Sequence, residues 1–204
     1  MAANPQNPKN PEPAIRNPLP RRIIIALTGA TGAIYGVRAL QALKASGVET
    51  HLVVSKWAAA TLAHETDVTL DALGSCASFV HQVGDLTAPI ASGSFETDGM
   101  LIVPCSMRTL GAIANGVGDN LIHRAADVVV KERRRLTLAV VETPLSAIHL
   151  ENMLKLSRLG VQIVPPVPAY YTRPASLDDV VHYTVARLLD QMGIRTDAAR
   201  WTGR

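Results

Sequence analysis

The chain has 204 residues, 48% of them hydrophobic and 18% charged, with a formal net charge of +3. That length supports one domain with a proper core rather than two. The small basic excess includes the KERRR run at residues 131–135, which lacks the interleaved aromatics of a nucleic-acid surface. Local positive charge of this kind suits small anionic ligands better. Cys76 and Cys105 have neither zinc-site nor disulfide-scaffold spacing, so a reducing compartment, the cytoplasm, is expected. No run reaches the roughly 18 apolar residues of a membrane span.

Residues 1–20 are rich in Pro and Asn and are expected to form an extended tail. Residues 21–194 form the single domain, and 195–204 a C-terminal tail. Residues 22–27, RIIIAL, read as a buried parallel strand. The loop Thr28-Gly29-Ala30-Thr31-Gly32-Ala33 follows, then a helix over 34–45. Strand, glycine-rich turn and helix form the ligand-facing opening of a Rossmann-like unit, although the GxGxxG dinucleotide pattern is absent. A second strand at 49–54 ends at Ser55, and a helix is expected over 56–64. Residues 67–91 suggest a helical turn, a short strand at 79–82 and an irregular link through Pro89. The small, polar segment 91–94 suits close backbone approach to a ligand.

A buried strand at 99–103 is expected to break at Pro104. Ser106 and Thr109 then open a helix whose free N–H groups make a ready anion site. The turn Asn115-Gly116-Val117-Gly118-Asp119-Asn120 leads to a second helix carrying Arg124 and Lys131. Of the charged run, Glu132 to Arg135 read as a solvated helix end. A strand at 136–141 ends at Glu142, and a helix over 146–159 carries Ile148, Leu150, Met153, Leu154 and Leu156. A last strand at 161–164 meets a Pro-rich loop holding Tyr170, Tyr171 and Arg173. The closing helix over 177–192 buries Val180, Val181, Val185, Leu188 and Leu189, with Arg187 among them. This alternation predicts an α/β fold, a doubly wound parallel sheet in three α/β/α layers.

Polar residues recur at successive strand ends: Thr31, Ser55, Ser106, Glu142 and Tyr171. Any one of them has an ordinary capping or rim role, but together they mark a site. His149 reads as a buried, hydrogen-bonded residue. Cys105 reads as a small buried residue with no base to activate it.

The runs LTGATGAIYG, SGS, PCSMRTLGAIANGVGDNLIHRAADVVVKERR, ETPLSAIHLENMLKL and PPVPAYY resemble the UbiX-type flavin prenyltransferases, across most of residues 22–192. The resemblance implies a flavodoxin-like sheet with FMN bound at a subunit interface in a homododecamer. It also implies transfer of a dimethylallyl group from dimethylallyl phosphate to N5 and C6 of reduced FMN, without a metal. The prenylated FMN would serve a UbiD-type decarboxylase. Carried over by position, Gly29, Ala30, Thr31, Ser55, Ser106, Met107, Arg108, Thr109 and Arg124 contact FMN. Ser92, Lys131, Tyr171 and Arg187 surround the donor phosphate. Glu65 and Glu142, with Lys131 and Thr31, form the catalytic set.

Three positions depart from the family pattern. Val141 stands where Arg is usual, Leu86 where some members have Trp, and Thr31 where Ser is frequent. Losing that guanidinium removes a bidentate phosphate partner. Two other readings stay open on the residues alone: an oxidative flavoprotein decarboxylase and a non-catalytic flavin carrier.

Overall fold

The computed structural model describes residues 21–198, 200 and 203. The expected N-terminal tail lies outside the described residues. Six parallel strands, β1 (Arg22–Leu27), β2 (Glu49–Val54), β3 (Phe79–His81), β4 (Gly99–Cys105), β5 (Arg135–Val140) and β6 (Gln162–Ile163), stand in the order β3-β2-β1-β4-β5-β6. The chain winds outward from β1 in one direction and from β4 in the other. The switch point therefore lies between β1 and β4, and the crevice beyond their carboxyl ends is where ligands bind in open α/β sheets.

Alternation along each strand assigns side chains to two layers. Ile23, Ile25 and Leu27 pack with α1 (Ala33–Ala45), α2 (Lys56–Glu65), α3 (Leu70–Gly74) and α7 (Leu177–Gln191) on one face. Ile24 and Ala26 pack on the other with α4 (Met107–Ala114), α5 (Leu121–Lys131), α6 (Ala147–Arg158) and a 3-10 turn over Pro89–Ala91. Burial on both sides explains why β1 reads as a continuous apolar run instead of an alternating one.

Four corrections to the expected elements have local causes. β4 runs through Pro104 to Cys105 instead of stopping before it. Proline offers no ladder donor, and the pairing of β4 with β5 shifts register between Ile102 and Cys105 to pass it. Arg187 sits on the exposed face of α7, not among its buried residues. Of the α6 apolar residues only Leu156 is buried; Ile148, Leu150 and Leu154 are at least half exposed. In the run 132–135, Glu132, Arg133 and Arg135 are exposed as expected, but Arg134 is half-buried and donates to the carbonyls of Phe95 and Gly93.

Candidate active site

The carboxyl ends of β1, β2, β4 and β5 surround two adjoining clefts. The first, about 300 Å³, is lined by Gly29, Ala30, Thr31, Ser106, Met107, Val141, Glu142 and Thr143. The second, about 160 Å³, shares Gly29 and Ser106 and adds Thr28, Ser55, Trp57, Arg108 and Thr109, with Asn120 and His123 beyond them. Buried Thr28 holds the strand ends together. Its hydroxyl donates to the Pro104 carbonyl at 2.9 Å and accepts from the Ser106 N–H at 2.8 Å. The motif reading omitted Thr28, which looks like one more residue of the glycine loop.

Two helices aim their N-termini into the second cleft. Ser55 caps α2 by accepting from the Ala58 N–H, and Ser106 caps α4 by accepting from the Thr109 N–H. Gly29 permits the close approach of α2: a Cβ there would lie 2.4 Å from that of Trp57. Hydroxyls, helix N-termini and the Arg108 guanidinium make this cleft fit a phosphate. The small residues Gly29, Ala30 and Thr31 leave the first cleft open to a flat ring. The donor set therefore fits FMN. Arg108 is well exposed, sits 3.7 Å from Asp119 and lines the cleft with Ser55 and Thr109, not the one with Val141.

Glu65 caps α1, accepting from the N–H groups of Gly32 and Ala33 at 2.8 and 2.9 Å. Burial pushes its pKa up, but hydrogen bonds from the Thr31 hydroxyl, Ala33 and Gly32 together outweigh that and hold it below the ordinary value. Glu65 is thus an anion that orients Thr31 from behind. Glu142 is exposed on the first cleft and accepts from the Thr143 N–H. Cys105 is fully buried and its thiol is pushed up to about 12 by that burial, as its inert role requires. His149 is only partly buried; it accepts from the Ser146 N–H and completes a capping box on α6.

The remaining candidates form two separate sets. Arg124 donates to the Ala91 carbonyl, and Lys131 pairs with Glu132 at 2.5 Å. A Cβ on Gly93 would meet both the Lys131 ammonium and the Glu132 carboxylate. Ser92, Arg124 and Lys131 therefore cluster along α5. Tyr171, in the 3-10 turn Tyr170–Thr172, and Arg187 on α7 line a different cavity of about 340 Å³ with Tyr183, Asp190 and Arg200. α5 and α7 cover opposite faces of the sheet. Within one chain the two sets do not meet, nor does the structure bring Arg124 into the clefts at the strand ends.

A flavoprotein family model matches residues 13–189. A probable UbiX-like flavin prenyltransferase from Bacillus subtilis is 55% identical, over 89% of this chain and 90% of its own. The chain belongs to the UbiX-type flavin prenyltransferases. The Neisseria meningitidis flavin prenyltransferase UbiX is 54% identical over 90% of this chain and 97% of its own length. The crystal structure of AnUbiX (PadA1) in complex with FMN and dimethylallyl pyrophosphate matches with a TM-score of 0.90 and 52% identity, over 91% of this chain and 99% of that one. A dodecameric FMN-dependent UbiX-like decarboxylase from Escherichia coli O157:H7 matches at 0.88 and 54%, over 89% and 100%. The cysteine decarboxylase TvaF, 20% identical, shares the fold alone.

Proposed function

We propose that this flavin prenyltransferase transfers a dimethylallyl group from dimethylallyl phosphate to N5 and C6 of reduced FMN and supplies the product to a UbiD-type decarboxylase. Its acceptor is FMN, whose reduced N5 supplies the nucleophile. The observation that carries this reading is the paired cleft at the switch point, small and open on the Thr31 side and rich in hydroxyls and N–H donors on the Ser106 side. Ser55, Ser106 and Thr109 hold the FMN phosphate, with Arg108 alongside, and Gly29, Ala30 and Met107 lie against the ring.

The dimethylallyl C–O bond breaks as the N5–C bond forms, and phosphate leaves. Without a metal, protein cations must stabilise the departing anion. Lys131, Arg187 and the Tyr171 hydroxyl take that role, with Ser92 beside Lys131. Ring closure needs a proton placed on the prenyl double bond, and forming the C–C bond at C6 then expels the C6 proton; Glu142 or the departed phosphate can give the first and accept the second. Glu65 keeps the Thr31 hydroxyl oriented toward the ring.

Because the α5 and α7 sets cover opposite faces of the sheet, neighbouring copies must complete each site. A homo-oligomer, the dodecamer, is the assembly we propose, with Arg124 reaching the FMN of an adjacent copy. The half-exposed apolar face of α6 supports such contacts. Cys76 and Cys105 are both free thiols, in keeping with a cytoplasmic enzyme. Among the described residues no helix is long and apolar enough to cross a membrane.

The test is anaerobic incubation with reduced FMN and dimethylallyl phosphate, followed by mass spectrometry of the flavin. A gain of one prenyl unit is expected. An unchanged flavin mass overturns the proposal.

A further inference from the structure

The cavity beside α7 is lined in part by the stretch that follows the helix. Ala198 and Arg200, from the residues that read as a tail, face it together with Tyr171, Tyr183, Arg187 and Asp190. Among the described residues its charged groups are two guanidiniums and one carboxylate. Asp190 is the centre of the set, its side chain only 12% exposed against 49% for Arg187 and 44% for Arg200. The two arginines reach it differently. Arg187, one turn back on α7, donates once, from Nη1 to Oδ2 at 2.7 Å. Arg200 donates from Nη1 and Nη2 to Oδ2 and Oδ1, at 2.9 and 2.7 Å, the bidentate geometry of the stronger arginine–carboxylate pairs.

We propose that Arg200 is a positioning residue of the donor site: by engaging both oxygens of Asp190 it leaves Arg187 able to hold the donor phosphate. The inference rests on the proposed donor-site role of Arg187. The balance of charge decides the point. Arg187 with Asp190 alone would be a neutral pair, and an approaching phosphate would meet a carboxylate beside its guanidinium. With Arg200 the set is two guanidiniums against one carboxylate, one positive charge in excess. Arg187 commits only Nη1 to Asp190, and its Nε and Nη2 make no hydrogen bond among the described residues. Those remaining N–H groups are the donors that a phosphate takes as a fork. The hydrogen bond from Arg200, ahead of the one from Arg187, holds the Asp190 carboxyl below its ordinary range, in keeping with Arg200 as the main partner.

The experiment uses the full-length, FMN-loaded protein and compares Arg200→Gln, Arg200→Lys, Arg187→Gln and the double variant Arg200→Gln with Asp190→Asn. Two constants are read: the Kd of inorganic phosphate by titration calorimetry and the KM for dimethylallyl phosphate. Arg200→Gln should raise both about tenfold, the size of one lost charge-assisted contact. Arg200→Lys keeps the charge and should recover most of that loss. The double variant removes the carboxylate together with its partner, and should bring both constants back to within about threefold of wild type. A merely structural loss would instead grow with the second substitution. The comparison of the double variant with Arg200→Gln decides even if both melt earlier than wild type. Unchanged constants in Arg200→Gln overturn the inference, as does a double variant no better than the single one. If Arg187→Gln leaves both constants unaltered, the donor-site reading fails and the inference with it.

Discussion

The two halves of the site are built by different means. Around Thr31, Ser106 and Glu142 one chain builds both clefts, largely through backbone geometry: strand ends, a close-approach glycine and helices capped by Ser55 and Ser106. The proposed donor half consists of long side chains on helix exteriors, Lys131 on α5 and Arg187 on α7, on opposite faces of the sheet. On our proposal the first half needs only Arg124 of an adjacent copy once the sheet forms. On the same proposal the second exists only where copies meet; within one chain its cations pair with local carboxylates, Glu132 and Asp190. Donor binding must therefore compete with those ion pairs, whereas in the FMN half much of the donor set is hydroxyls and backbone N–H groups, with Arg108 only 3.7 Å from Asp119.

The largest expected effect comes from separating the copies. The double substitution Ile148→Asp with Leu154→Asp puts charge on the exposed apolar face of α6, away from both clefts. It should give a smaller species in analytical ultracentrifugation and lower prenyl transfer by about a hundredfold. A monomer with full turnover would contradict the split-site architecture. Ser106→Ala strikes the cleft half instead, removing the cap of α4 and a proposed phosphate ligand. FMN affinity should fall about tenfold in a fluorescence titration, and a change under about twofold removes Ser106 from the phosphate site.

Smaller effects sharpen the contrast. Val141→Arg adds a cation to the first cleft, beside Glu142. The KM for dimethylallyl phosphate should drop by about fivefold; an unaltered KM means Lys131 and Arg187 already satisfy the phosphate. Glu65→Gln should act mainly on stability. The depressed carboxyl contributes above its unfolded pKa, about 4.3, and loses that contribution as pH falls through the lower folded value. The melting-temperature gap between wild type and Glu65→Gln should thus be constant above about pH 5 and close toward pH 3. It should correspond to less than about 1 kcal/mol, since the carboxylate is exposed and water screens it. A gap that persists unchanged at pH 3 would exclude the anionic cap.

Legibility in the sequence followed the range of the interactions. Residues 22–27 and 49–54 were read to the residue, because a β-branched run closed by Thr-Gly or Ser is a local signal. β4 was read short, because the shift that carries it past Pro104 depends on the partner strand β5. The spacing of Ile148, Leu150 and Leu154 showed an apolar helix but could not show that their own chain leaves them uncovered. Arg134 looked solvated, since its acceptors, the Gly93 and Phe95 carbonyls, lie some forty residues earlier.

By itself the sequence determined the layered α/β fold, the glycine loop, the capped helix entries and, through its long motifs, the family. Each depends on neighbouring residues in the chain or on a pattern within one segment. Only the tertiary structure decided that Glu65 caps α1 and orients Thr31, that Tyr183 meets Tyr171, and that Lys131 and Arg187 are carried on opposite faces. Those facts depend on which helix covers which side of the sheet, and that is settled by packing rather than by the order of residues within any one helix.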